Sequence, residues 1–103
     1  MNSTIVTKFG GSSLSNSQQF IKVKKIMEAN PDRRFLVPSA PGKGKKEKHK
    51  VTDLLLMCHQ LASHKLHFGE IFSVVEDRYV GIERDLQLNS NIEAELKTIY
   101  TKI

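Results

Sequence analysis

At 103 residues the chain has room for one small domain with a modest core, and its 39% hydrophobic and 26% charged residues place it with folded globular proteins rather than disordered ones. A single cysteine, Cys58, excludes an internal disulfide; no apolar run reaches about 18 residues and no basic-then-apolar leader opens the chain, so a cytoplasmic protein without a membrane helix is expected. The net charge of +5 is concentrated in "GKGKKEKHK" (42–50), where five lysines meet one glutamate, and the rest of the chain is nearly neutral.

In chain order, "TIVTKF" (4–9) is rich in β-branched and apolar residues and stops at a glycine pair, which predicts a short strand. "SNSQQFIKVKKIMEAN" (15–30) follows, with Phe20, Val23, Ile26 and Met27 on one helical face and Ser15 with Gln18 in the spacing of a capping box. Asn30 and Pro31 end this helix. "RRFLVPSAP" (33–41) predicts a second strand. Two strands joined by one helix make a parallel βαβ unit with a right-handed crossover, and both strands then finish at the same edge of the sheet. Pro38 lacks a ladder donor and belongs at an edge or a strand end.

Beyond the lysine-rich segment, "VTDLLLMCHQLASHKL" (51–66) carries the stripe Val51, Leu54, Leu55, Cys58, Leu61 and Ala62, with Asp53 in the first turn where the helix dipole favours it. Gly69 marks a break. Helical spacing returns at Ile71, Phe72, Val75, Tyr79, Ile82 and Leu86, and again at Ile92, Leu96, Ile99 and Ile103. The fold class is therefore α/β, a parallel β-α-β unit followed by three helices. A parallel sheet normally has more than two strands and both faces covered, so these residues read as the opening portion of a larger α/β domain.

Chemistry concentrates in "KFGGSS" (8–13). Gly10 and Gly11 permit positive φ and close approach of a ligand, their N–H groups and the following helix start favour an anion, and Lys8 adds a full positive charge. Ser12 and Ser13 add hydroxyls. The set suits nucleotide phosphates, yet the lysine precedes the glycines, so this is no Walker A loop. Ser39 ends the neighbouring strand at the edge where α/β sheets gather ligands, and Thr52 opens the next helix. Taken singly, Ser39 also reads as a turn residue and Thr52 as a helix cap.

"TKFGGSSL" near the N-terminus, then "SAPGK" and "KVTDLL", in this order and spacing over residues 4–56, resemble the opening of aspartate kinase, a member of the amino acid kinase family. The resemblance implies an amino acid kinase-like fold with residues 1–103 forming the N-terminal part of its catalytic domain. It implies phosphoryl transfer from MgATP, the Mg2+ being carried by the nucleotide, to the side-chain carboxylate of L-aspartate. By the same resemblance Lys8 is the catalytic contact to the transferring phosphoryl group. Gly10, Gly11 and Ser12 hold ATP phosphates, and Ser39 and Thr52 lie on the substrate side. A homo-oligomer is implied for the complete enzyme. The pattern departs at Pro38, where the family has an aliphatic residue. The acidic and arginine substrate contacts, the adenine pocket and the ACT regulatory domains of the family have no counterpart in these residues, so the chain alone is expected to be inactive. Alternatives are another amino acid kinase acting on a different carboxylate or carbamate, and a non-catalytic basic binding module.

Other signals read as ordinary structure. The lysine segment lacks interleaved aromatics, so a solvated loop rather than a nucleic-acid surface is expected. His59, His64 and His67 near Cys58 have no second ligand-bearing segment, and no metal site is expected. Cys58 reads as a packed thiol.

Overall fold

β-Branched and aromatic residues form strand β1 (Ile5–Phe9) and strand β2 (Arg33–Pro38), which pair in parallel with Val6 opposite Phe35, Thr7 opposite Leu36, Lys8 opposite Val37 and Phe9 opposite Pro38. The computed structural model describes residues 3–103, and these divide into two units, the first ending at Lys50 and the second running from Val51 to Ile103.

In the first unit a single 3-10 turn over Gly11–Leu14 leads from β1 into helix α1 (Ser17–Ala29). Phe9, Leu14 and Val23 form the core of this unit, with Phe20 and Met27 packed against it. Ile26, expected on the same stripe, is exposed instead. The expected capping box is displaced by one residue. Asn16 is the N-cap, its side-chain oxygen accepting the Gln19 N–H at 3.1 Å, whereas the Ser15 hydroxyl donates back to the Ser12 carbonyl at 3.0 Å. The 3-10 turn draws Ser15 into that second bond and buries it, which leaves Asn16 to start the helix. Asn30 closes α1 and turns the chain, its side chain accepting the Asp32 N–H at 2.9 Å and its carbonyl the Arg33 N–H at 3.0 Å.

β2 stops at Pro38 rather than running to 41. With Phe9 opposite Pro38, the parallel ladder takes its next bond from the Ser39 N–H to the Phe9 carbonyl at 3.1 Å and asks for no donor at position 38, which is where a proline fits. Period-two alternation places Val6, Lys8, Phe35 and Val37 on one face of the sheet, and all four are exposed; Val6 retains 63% of its accessible surface and Phe35 57%. The opposite face carries Thr7 and the buried Phe9.

In the second unit helices α2 (Val51–Ser63), α3 (Gly69–Asp85) and α4 (Ile92–Lys102) follow in order, α2 packing on α3 and α3 on α4. Val51, Leu54, Cys58, Phe72, Val75, Ile82 and Leu96 are buried, in the three- and four-residue rhythm of amphipathic helices. Leu55, Leu61 and Ala62 border that stripe as half-buried residues. On α4 the expected Ile99 is exposed, and Tyr100 makes the aromatic contacts: its ring centroid lies 5.0 Å from that of Phe68 and 5.2 Å, edge-on, from that of Phe72.

The break anticipated at Gly69 falls earlier. Lys65 adopts φ 58° and closes α2, with the Leu66 N–H donating to the Leu61 carbonyl at 2.8 Å and the Lys65 N–H to Ala62 at 2.9 Å. Gln87, at φ 55°, ends α3 in the same way through Leu88 to Glu83 at 3.0 Å. Gly69 is simply the first residue of α3. No helix among the described residues is long and apolar enough to cross a membrane.

Two predictions arise from the helical unit. Glu83 of α3 caps α4 in place of Asn91, its Oε2 accepting the Ile92 N–H at 3.1 Å and the Ser90 hydroxyl. Glu83→Ala is therefore expected to lower stability by about 1 kcal/mol, read as a lower urea midpoint at unchanged m-value. Burial pushes the Cys58 thiol above its ordinary value, against a smaller opposing backbone hydrogen bond, and burial likewise raises Tyr79 despite nearby Arg78. A raised acid holds its proton longer in the folded state, so this stability is complete below the unfolded-chain values. It declines as pH climbs from about 8.5 for the thiol and about 10 for the phenol. Urea midpoints should fall across that alkaline range, and Cys58→Ser should remove the earlier part of the fall.

Candidate phosphate-binding site

Because the strands are parallel, β1 and β2 end together, and the residues that follow each strand meet at one edge of the sheet. Lys8 is the penultimate residue of β1 and is exposed; Gly10 and the 3-10 turn follow it, and Ser39 and residues 40–44 follow β2. Lys8, Gly10, Gly11, Ser12 and Ser39 are thus gathered at this edge. Thr52 lies in the other unit, exposed in the first turn of α2 just before Asp53.

Neither glycine of "KFGG" uses a left-handed backbone. No glycine among the described residues has positive φ, and Gly10 sits at φ −76°, ψ 173°, an extended conformation open to any residue. The two glycines serve different ends. A Cβ on Gly10 would meet nothing within 4 Å, so the approach to the backbone there is open. A Cβ on Gly11 would lie 3.1 Å from the Ala40 carbonyl oxygen and 3.2 Å from the Gly42 Cα. Gly42 fits tighter still, for its Cβ would lie 2.6 Å from the Gly11 carbonyl carbon and 2.9 Å from the Ser12 nitrogen. The Gly42 N–H also donates to the Gly11 carbonyl at 2.8 Å. The turn after β1 and the loop after β2 are locked backbone to backbone, which only two facing glycines allow.

The first bond inside the 3-10 turn runs from the Ser13 N–H to the Gly10 carbonyl at 3.1 Å. The N–H groups of Gly11 and Ser12 precede it and have no acceptor within the turn. A lysine ammonium, an accessible glycine backbone and N–H groups ahead of a helical turn can together neutralise and orient a phosphate. The sequence reading identified these residues but missed the partnership of Gly11 with Gly42. Its signal was the glycine of "SAPGK" placed just past β2, on the edge where the "KFGG" pair also lies.

Elsewhere, Cys58 is fully buried, with its Sγ 4.0 Å from the Phe68 carbonyl oxygen, as a packed thiol. His64 spends Nδ1 on the Gln60 carbonyl at 2.8 Å. Among the described residues no group of three His, Cys, Asp or Glu side chains is placed to hold a metal ion. Lys43, Lys45, Lys46, Lys48 and Lys50 are all exposed.

No protein-family model matches the chain. Aspartokinase 3 of Bacillus subtilis is 40% identical over 92 residues, which is 89% of this chain and 20% of the relative. The crystal structure of Clostridium acetobutylicum aspartate kinase, described as an allosteric enzyme, superposes with a TM-score of 0.90 at 38% identity over 94% of this chain and 22% of that one. The chain thus spans about a fifth of the length of either relative. It is similar to aspartate kinase in both sequence and backbone over this segment, and its α/β architecture is that of the corresponding part of the solved enzyme.

The different surroundings of the glycines predict different mutational costs. Gly42→Ala must push backbone off backbone and is expected to destabilise by about 1–3 kcal/mol. Gly10→Ala, at a conformation alanine adopts freely and with open space around it, should leave stability unchanged or raise it by up to about 1 kcal/mol. Chemical denaturation of the two variants measures the contrast, and equal losses would contradict it.

Proposed function

We propose that this segment forms the ATP-phosphate side of an aspartate kinase, which transfers the γ-phosphoryl group of MgATP to the side-chain carboxylate of L-aspartate. The observation that carries this reading is the pairing of Lys8 with the open Gly10 backbone at the shared strand ends, within an aspartate kinase-like backbone. The product, 4-phospho-L-aspartate, would open a biosynthetic route to lysine, threonine, methionine and isoleucine.

In this reaction a carboxylate oxygen of aspartate forms a bond to the γ-phosphorus while the bond from that phosphorus to the β,γ-bridging oxygen breaks, leaving ADP. The attacking carboxylate is already unprotonated, so no general base is needed. What remains for the protein is positioning and charge neutralisation. Lys8 stabilises charge on the γ-phosphoryl oxygens. The backbone at Gly10, Gly11 and Ser12 supplies N–H donors in the manner of an oxyanion hole. Mg2+ arrives with the nucleotide and offsets phosphate charge. Ser39, next to the turn, and Thr52, at the start of α2, bind on the aspartate side. The complete enzyme would be a homo-oligomer.

The test is Lys8→Ala. In a full-length protein carrying this segment, the variant should lose about a hundredfold or more in kcat while its circular dichroism stays the same. The 103-residue chain alone should form no aspartyl phosphate in a hydroxylamine-trapping assay. Undiminished turnover of Lys8→Ala would remove Lys8 from the role assigned to it.

A further inference from the structure

The five lysines of residues 42–50 are alike in chemistry and exposure, but they are not alike in attachment. Lys43 alone stands between two residues seated on the 3-10 turn. On one side Gly42 lies against the peptide joining Gly11 and Ser12, held by its 2.8 Å hydrogen bond to the Gly11 carbonyl. On the other, Gly44 is pressed onto Ser15: a Cβ there would lie 2.9 Å from the Ser15 Oγ and would also collide with the Glu47 carboxylate. Ser15 is itself buried and tied to the turn through the Ser12 carbonyl. Two glycine contacts therefore fix the backbone on both sides of Lys43 along the turn that begins at Gly10. The other lysines come after the second contact, where the Glu47 side chain, rather than the backbone, reaches back to Gly44.

We propose that Lys43 is a second phosphate-binding cation of this site, presented to the nucleotide by the Gly42 and Gly44 contacts. The inference rests on the ATP-phosphate reading of the turn and adds a residue to it. Lys43 is exposed and makes no ion pair among the described residues, so its ammonium is free to meet an incoming anion. A triphosphate carries several negative charges, and Lys8 is a single compensating charge at the end of β1. A cation fixed on the other chain segment of the same edge neutralises phosphate oxygens from a second direction. Its backbone is already held, so less ordering is needed on binding than for a lysine on free loop.

The experiment follows the amide signals of Gly10 and Gly11 by NMR while the 103-residue chain is titrated with MgATP. Lys43→Gln is expected to weaken binding about tenfold and Lys46→Gln by under about twofold, with Lys43→Arg close to the unsubstituted chain. Equal weakening by Lys43→Gln and Lys46→Gln would overturn the inference, since the loop would then act only as diffuse charge. Signals of Gly10 and Gly11 that do not move in the unsubstituted chain, or that move equally in Lys8→Gln, would instead overturn the phosphate reading and this inference with it.

Discussion

The contact between Gly11 and Gly42 is the constraint on which the rest of the first unit depends. The side-chain-free surfaces of two residues, each just beyond the end of a strand, are pressed together closely enough that a methyl group on Gly42 would overlap the Gly11 backbone. The parallel pairing of β1 and β2 brings these two segments to the same edge, and the hydrogen bond from Gly42 to Gly11 extends the connection beyond the last ladder bond at Ser39. The position of the 3-10 turn, the burial of Ser15 and the start of α1 at Asn16 all follow from where this junction is held.

The junction divides the labour of the glycine pair. Gly11 is consumed by packing, while Gly10 remains open, next to the exposed Lys8. A phosphate approaching this edge would meet the backbone at Gly10 without displacing any side chain. Phosphoryl transfer to a carboxylate asks for such placement of positive charge and N–H donors more than for acid or base groups, which is why so few residues suffice on the proposed nucleotide side.

The sheet that carries the site is open on one face. Val6, Phe35 and Val37 share that face with Lys8 and keep much of their surface accessible. Parallel strands rich in apolar residues are ordinarily covered on both faces, and α1 covers only the face that bears Phe9. The chain spans about a fifth of the length of the relatives it matches. The second unit is simpler in construction. Its three helices bury one stripe each, and the side chain of Glu83 and the ring of Tyr100 link α3 to α4.

Much of this was legible in the sequence. The two strands, the four helices, the termination at Asn30 and the turn after β1 follow from periodicity, breaker residues and motif spacing, all of which are local. The misses are non-local. Asn16 displaced Ser15 as the helix cap because a turn upstream claimed the Ser15 hydroxyl. Tyr100 displaced Ile99 in the aromatic contacts because Phe68 and Phe72 on another element set which side of α4 is covered. Lys65 and Gln87 took the left-handed positions usual for glycine because the closing hydrogen bonds to Leu61 and Glu83 hold them there. By itself, then, the sequence determined the elements and their order and singled out the residues proposed to carry the chemistry, since these depend on neighbours along the chain. Only the tertiary structure decided that Gly11 packs while Gly10 stays open, and that Gly42 is the reason, because a contact between residues 31 positions apart exists only once β1 and β2 have paired.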